Sequence, residues 1–295
     1  MELWFSERQS TGVRLQIKVD RSLYTTQSKY QRIDILQTQE FGKILVLDGT
    51  LMLTEKDEFI YHEMMVHVPM AVHPHVRKVL LIGAGDGGAL SRLLLYPEIE
   101  HIDVVEIDKE VIEACRTYLP NLAQSFDDSR VHVEIADGLR FVRQKLDLYD
   151  LILVDSTHPF GPGEGLFTRE FYGNCYNALK EDGILVNQHE SPFYPQDAKE
   201  VRNIYKKTRP IFPINLLYQA HIPTYPSGHW LFGFFSKRYH PLEDQDEAGW
   251  KEKNIPTRYY NPSLHRGAFA LPTYVLDLLH NEELEMEIDD DEDED

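Results

Sequence analysis

The sequence predicts an α/β protein, a Rossmann-like parallel sheet with a small N-terminal β-domain ahead of it. Three observations carry this. Residues 79–108, VLLIGAGDGGALSRLLLYPEIEHIDVVEID, place two short apolar runs around a glycine-rich turn and a helical stretch, the pattern of a β-α-β unit. Two later apolar runs, at 131–138 and 149–155, also end in an acid or an Asp-Gly turn. Before all of these, residues 13–54 alternate apolar with polar at the two-residue period of half-buried strands.

Taken in order, residues 1–55 form the β-domain. Its strands are VRLQIKV (13–19), KYQRIDILQT (29–38) and KILVLDG (43–49), and Asp48-Gly49 is a hairpin signal ahead of TLMLT. A catalytic domain is expected over 56–280. From Lys56 the period becomes helical: Phe59, Met64, Met65, Val68 and Val72 recur on one face until Pro74 ends the helix, with Tyr61, His62 and Glu63 at its centre. In the β-α-β unit the first strand is Val79–Ile82, Pro97 closes the helix, and Glu106 stands just past the second strand. A helix at 111–120, a strand ending at Asp137-Gly138, a helix at 139–146 and a strand ending at Asp155 follow. The Pro- and Gly-rich stretch 159–165 reads as an ordered rim, 168–180 as a helix and 183–188 as a fifth strand, which returns GlnHisGluSerPro (188–192) to the same sheet edge. Residues 197–210 are helical, 222–237 run from a loop into a late strand, and 240–262 wrap the surface.

The turn Gly83-Ala84-Gly85-Asp86-Gly87-Gly88 matches Gly-x-Gly-x-x-Gly, and Glu106 follows its last glycine by 18 residues. Such glycines let the backbone approach a nucleoside, and an acid after the second strand can hold two ribose hydroxyls. Asp86, however, lies where a dinucleotide's pyrophosphate would sit. A carboxylate there repels a diphosphate and suits a nucleoside carrying a sulfonium or an amine, which points to the S-adenosylmethionine group of ligands and to a methyltransferase-type sheet. Asp86, Glu106, Asp137 and Asp155 are expected to line one edge, where open parallel sheets bind ligands.

The chain is 42% hydrophobic and 11% aromatic, enough for a packed core. Its net charge is −19, but residues 282–295, EELEMEIDDDEDED, hold eleven acids and no base, and taking those away leaves −8. That stretch reads as a solvated, disordered tail over 281–295. A moderately acidic body argues against a nucleic-acid surface and suits cationic small substrates. Cys115 and Cys175 form neither a disulfide framework nor a thiolate metal site. No run approaches 18 apolar residues and no signal peptide is visible, so no membrane partner and a cytoplasmic location are expected.

Together these segments resemble the spermidine synthase family of polyamine aminopropyltransferases. The resemblance rests on QRIDI (31–35), LDG (47–49), EKDEFIYHEM (55–64), GAGDGG (83–88), VEID (105–108), DDSRV (127–131), ADG (136–138), VDSTHPFGPGEGLF (154–167), FY (171–172), ALKEDG (178–183) and TYPSGHW (224–230), which run in the family's order over most of the chain. It implies transfer of a 3-aminopropyl group from decarboxylated S-adenosylmethionine, a cosubstrate and not a permanently bound cofactor, to a small-molecule amine. Putrescine is the expected acceptor, giving spermidine and 5′-methylthioadenosine, with no metal. By the resemblance Gln31, Glu106, Asp137, Gly138 and Pro162 hold the methylthioadenosine part. Asp86 holds the amine of the aminopropyl arm, His62 faces the polyamine chain, and Asp155 accepts the proton with the Tyr61 hydroxyl assisting.

Three histidines depart from the family pattern. His158 stands where an acid is usual and leaves the distal amine contact short of one charge, which the neighbouring Glu164 and Glu190 could compensate; otherwise agmatine, cadaverine or a carboxylate-bearing amine is the acceptor. His189 and His229 read as packing or hydrogen-bonding residues rather than parts of a three-histidine metal site. The alternating N-terminal strands have little sequence of their own to cover both faces, so a homodimer or homotetramer pairing these hairpins is expected. A methyltransferase is the rival reading, but the carboxylate of its full methionine arm would meet Asp86.

Overall fold

The structure, a computed structural model, describes residues 2–157 and 161–280, with 161 and 162 by backbone alone. His158 and the acidic tail lie outside the described residues. Six strands open the chain: β1 (Leu3–Arg8), β2 (Arg14–Val19), β3 (Arg21–Gln27), β4 (Arg32–Thr38), β5 (Gly42–Leu47) and β6 (Thr50–Thr54). β1 and β2 form a two-stranded hairpin, while β3 to β6 form a four-stranded antiparallel sheet in sequence order. β5 is a continuous apolar run because both of its faces are covered. Ile44 and Val46 pack with Ile17 and Leu51, and Leu45 and Leu47 join the main core. Asp48 and Gly49 have φ of 49° and 84°, the left-handed pair that a tight two-residue hairpin turn requires.

α1 (Glu58–Met70) follows, and every residue from Ile60 to Met70 is buried. The one-faced pattern expected from Phe59, Met64, Met65, Val68 and Val72 is thus only part of the helix. α1 sits between the N-terminal sheet and the core of the following domain, so its polar residues are buried as well. It stops at Met70, four residues short of Pro74. Pro69 lies in its last turn, and the amides of Ala71 and Val72 close back onto the carbonyls of His67 and Pro69.

The second sheet contains β7 (Lys78–Gly83), β8 (His101–Glu106), β9 (Val131–Ile135), β10 (Tyr149–Asp155), β11 (Leu179–Gln188), β12 (Ile214–His221) and β13 (His229–Ser236). Their spatial order is β12-β13-β11-β10-β7-β8-β9. β7 to β11 run parallel, and β13 is antiparallel to both of its neighbours. The helices are α2 (Gly88–Leu93), α3 (Lys109–Tyr118), α4 (Pro120–Ala123), α5 (Gly138–Val142), α6 (Arg169–Ala178), α7 (Pro195–Thr208), α8 (Glu247–Glu252), α9 (Pro262–Ala268) and α10 (Thr273–His280). α2 ends at Leu93 rather than at Pro97, and the Arg130 guanidinium takes the freed carbonyls of Leu94, Tyr96 and Ile99. Two cores, one on each face of this sheet, hold it rigid. Val79, Leu81, Leu151 and Leu153 belong to one, and Leu80, Ile82, Ile152 and Val154 to the other. The strand order reverses between β7 and β10, and a crevice opens there at the carboxyl ends of the strands.

Candidate active site

The crevice is a cleft of about 1270 Å³ counting its open mouth, large enough for a nucleoside with a short alkyl arm. Its floor is the edge of β7, β8 and β10, its wall is α1, and its roof is the apolar face of the N-terminal sheet at Leu45, Leu47 and Leu53. Gln31, Tyr61, His62, Asp86, Glu106, Asp137, Gly138 and Asp155 all line it, so the residues expected from sequence are brought together. Asp57 and Glu58 raise its carboxylates to six, and no Lys or Arg lines it among the described residues. That charge attracts a cation and repels phosphate or a second carboxylate.

Two glycines of the turn have separate jobs. Gly83 has φ of 84°, and a Cβ there would lie 2.0 Å from the Asp155 carbonyl oxygen, the same oxygen that accepts from the Ala84 amide at 2.9 Å. The glycine turn is therefore tied directly to the end of β10. Gly88 is needed for His62, whose Cε1 would lie 2.0 Å from a Cβ at that position.

At the Asp86 end the Tyr61 hydroxyl donates to Asp155 Oδ1 at 2.8 Å, while Asp155 Oδ2 is buried with no hydrogen-bond partner among the described residues. His62 Nδ1 lies 2.7 Å from Glu58 Oε2, and its Nε2 is 3.5 Å from Asp86 Oδ1. Arg92 donates to both oxygens of Glu58 at 3.0 Å. His62, Asp86 and Asp155 each offer an atom within 4.8 Å of the others, a spacing that suits a small cationic centre. Burial, and then the Asp86 carboxylate, push Asp155 up to about 7, against the pull of His62 and Tyr61. For His62 burial works against the charged form, but Asp86 and Glu58 outweigh it and hold the imidazole above its ordinary value. Burial raises the Tyr61 phenol far above its ordinary value, so it stays a donor.

The Glu106 end is built differently. Glu106 Oε1 accepts from the Asp108 amide at 2.8 Å, and burial still carries its carboxyl up to about 7. Gln31 Nε2 donates to Asp108 Oδ2 at 3.0 Å, and the Ser28 hydroxyl donates to the same oxygen at 2.7 Å. Asp137 caps α5, accepting from the Leu139 amide at 2.9 Å, so one of its oxygens is already committed.

Some expectations change. Glu164 is exposed and Glu190 is buried, and neither is among the described residues that line the cleft. Pro162 lies in a short 3-10 turn, Gly161–Phe167, and His158 is outside the described residues. Glu63 leaves the central trio of α1 and accepts the amides of Arg258, Tyr259 and Tyr260 at 2.8–2.9 Å. His189 is wholly buried against Phe235, and burial drives its imidazole down to about 3; His229 bonds the Tyr274 hydroxyl at 2.7 Å. Neither belongs to a cluster of three ligating side chains among the described residues. Residues that sequence reasoning missed include Ser28 and Asp108, which position Gln31, and Glu58, Tyr225 and Trp230 in the cleft wall. Glu58 had a signal in its i,i+4 spacing to His62, and Asp108, Tyr225 and Trp230 lie inside the motifs VEID and TYPSGHW, whereas Ser28 had none.

Comparison with known proteins settles what this arrangement belongs to. Residues 58–246 match the spermine/spermidine synthase domain, and residues 3–55 match the spermidine synthase tetramerisation domain. The chain belongs to the spermine/spermidine synthase family. Among its relatives, a polyamine aminopropyltransferase of Clostridium botulinum (strain Alaska E43 / Type E3) is 60% identical over 96% of this chain and 99% of its own. One from Alkaliphilus oremlandii (strain OhILAs) is 59% identical over 96% and 100%. A spermidine synthase solved in complex with the transition state analogue AdoDATO superposes with a TM-score of 0.92 at 43% identity, and the spermidine synthase of Thermotoga maritima with 0.90 at 43%; each covers 94% of both chains. This member of the family is accordingly an aminopropyltransferase of the spermidine synthase type, on a Rossmann-like sheet behind a small β-domain. No helix among the described residues is long and apolar enough to cross a membrane.

Proposed function

We propose that the chain transfers the 3-aminopropyl group of decarboxylated S-adenosylmethionine to putrescine, giving spermidine and 5′-methylthioadenosine. The observation that carries this reading is Asp155, which lines the cleft with Asp86 and has Tyr61 on one oxygen and a second oxygen that is buried without a hydrogen-bond partner among the described residues. Glu106 takes the ribose hydroxyls, Gln31, the Asp137-Gly138 turn and Pro162 hold the rest of the nucleoside, and Asp86 takes the ammonium of the aminopropyl arm. His62 faces the polyamine chain. The acceptor amine, near pKa ~10 in water, must lose a proton before its lone pair can attack. Asp155 Oδ2 takes that proton. The lone pair forms a C–N bond at the methylene next to the sulfonium, the C–S bond breaks, and its electrons stay on sulfur as a neutral thioether. General-base help of this kind contributes about 10²–10⁴-fold, and alignment adds to it.

The test is release of methylthioadenosine from decarboxylated S-adenosylmethionine with putrescine, cadaverine and agmatine, with S-adenosylmethionine as a control and with EDTA added. Putrescine should give the highest kcat/KM, and EDTA should leave it unchanged. S-adenosylhomocysteine formed from S-adenosylmethionine, with no methylthioadenosine from its decarboxylated form, would make the protein a methyltransferase instead.

The reading includes a homo-oligomer, supported by the match of residues 3–55 and by the exposed Leu3, Trp4 and Val13 of the β1–β2 hairpin. Light scattering of a chain ending at Leu279 should show the same oligomer as the full chain. A monomer at micromolar concentration would contradict it.

A further inference from the structure

Glu58 is a partly buried carboxylate that the transfer itself does not use, yet both of its oxygens are held by side chains, His62 on one and Arg92 on both. Arg92 grips both of its oxygens, and the guanidinium is fixed in turn by the Ser91 hydroxyl at 2.7 Å. We propose that Glu58, clamped by Arg92, is a positioning residue: it fixes the His62 ring and keeps it a cation aimed at Asp86, which leaves Asp155 ready to accept a proton. Its role in the transfer rests on the reaction proposed above, whereas its grip on His62 does not.

Geometry allows His62 little choice. Its ring lies edge-on to Tyr61, with centroids 5.3 Å apart, and over Gly88 at a distance that a single methyl group would block. An ionised carboxylate only accepts, so the nitrogen 2.7 Å from Glu58 carries a hydrogen. The other nitrogen faces Asp86, also an acceptor, at 3.5 Å. Between two acceptors the ring is best satisfied with hydrogen on both nitrogens, as an imidazolium. The charged and titratable groups around it are Glu58 on its own helix, Asp86 on the glycine turn, Asp155 at the end of β10 with the Tyr61 hydroxyl on it, and Arg92 on α2 behind Glu58.

The consequence falls on Asp155. Buried and close to Asp86, it tends to hold a proton, and the positive charge on His62 is what works against that tendency. If Glu58 is made neutral, His62 gives up its charge more readily, Asp155 holds its proton more tightly, and less of the protein is in the form that can accept one from the amine. Asp86 Oδ1 is meanwhile occupied by the Gly88 amide and His62, so its other oxygen is the one presented to an incoming ammonium.

The experiment uses Glu58→Gln, which keeps the size and one accepting oxygen, in the full-length protein. First, the His62 ring is titrated by NMR without substrate, its resonance assigned with His62→Gln. The variant should lower the midpoint by about one pH unit, a tenfold change in proton affinity. Second, the pH profile of kcat/KM, which reports groups of the free enzyme, should have its acid limb moved upward. The loss is then about tenfold near pH 6.5 and shrinks to within about twofold by pH 9. Arg92→Gln should move the His62 midpoint the opposite way, because Glu58 then gives its whole charge to the imidazole, and this arm serves if Glu58→Gln does not fold. An unmoved His62 in both variants, or a loss equal at every pH, would overturn the proposal. If the wild type releases no methylthioadenosine, the transfer reading fails while the NMR arm still decides whether Glu58 controls His62.

Discussion

The two ends of the cleft use the same residue types for opposite purposes. At the Glu106 end each carboxylate is partly spent on the protein itself: Glu106 on the Asp108 amide, Asp108 on Gln31 and Ser28, Asp137 on the start of α5. Such groups are fixed before any ligand arrives. At the Asp86 end the acids crowd around His62, and one oxygen, Asp155 Oδ2, is buried without a hydrogen-bond partner among the described residues. Burial and Asp86 push Asp155 upward, and His62 works against them. A region whose groups are satisfied in advance suits affinity, and one that keeps an acceptor open suits a proton transfer.

The sharpest way to break this comparison is Asp155→Asn. It should lower kcat by about 10²- to 10⁴-fold while cosubstrate still binds by calorimetry. Retention of most of the turnover would mean that another group takes the proton. Glu106→Gln should act at the other end, raising the cosubstrate KM by about tenfold and leaving kcat within about threefold. Steady-state kinetics that showed a pure kcat effect would erase the distinction between the two ends.

A smaller effect concerns stability. Asp155 and Glu106 both sit near 7 when folded, well above the ordinary carboxyl range of an unfolded chain. A folded-state value raised in this way stabilises the protein below the unfolded value, and that contribution is lost as pH climbs through 7. Asp155→Asn removes one such group. The ligand-free variant should be more stable than the wild type by about 1–3 kcal/mol at pH 8, and the gap should close toward pH 5. Melting curves at the two pH values check the sign. The smallest effect lies in the glycine turn. Ala84 has φ of 62°, which is costly for a residue with a Cβ, so Ala84→Gly should stabilise by about 0.5–1 kcal/mol and leave both ends of the cleft working. Chemical denaturation measures it.

How far the sequence reveals this site depends on whether a contact is local. The strand–turn–strand segment around Gly83–Gly88, the turn at Asp48-Gly49 and the acids closing β8 and β10 all leave a periodic or spaced signature, and the structure places them as expected. β1, β3 and β12 leave a weak one; LWFSER and RSLYTTQ are largely exposed strands with no buried face to impose strict alternation. Gln31 was legible through the family resemblance, but its pairing with Ser28 and Asp108 was not, since the bond to Asp108 spans 77 residues. The third glycine of the turn was expected to serve the nucleoside, and it instead makes room for His62. Nothing in a Gly-Gly pair announces which neighbour needs the space.

Glu63 carries one more lesson, about the order in which the protein becomes functional. Its carboxylate is satisfied by three backbone amides that lie 195 to 197 residues further along the chain. The helix that carries Tyr61 and His62 is therefore made early and completed late. At roughly 5–20 residues per second, a ribosome needs about 10–40 s to supply those amides after Glu63 itself has been joined. During that time the Glu63 carboxylate lacks these three amides. A nascent chain truncated before residue 258 should thus have every acid of the cleft and still not hold Tyr61 against Asp155, so the unfinished protein does not consume cosubstrate.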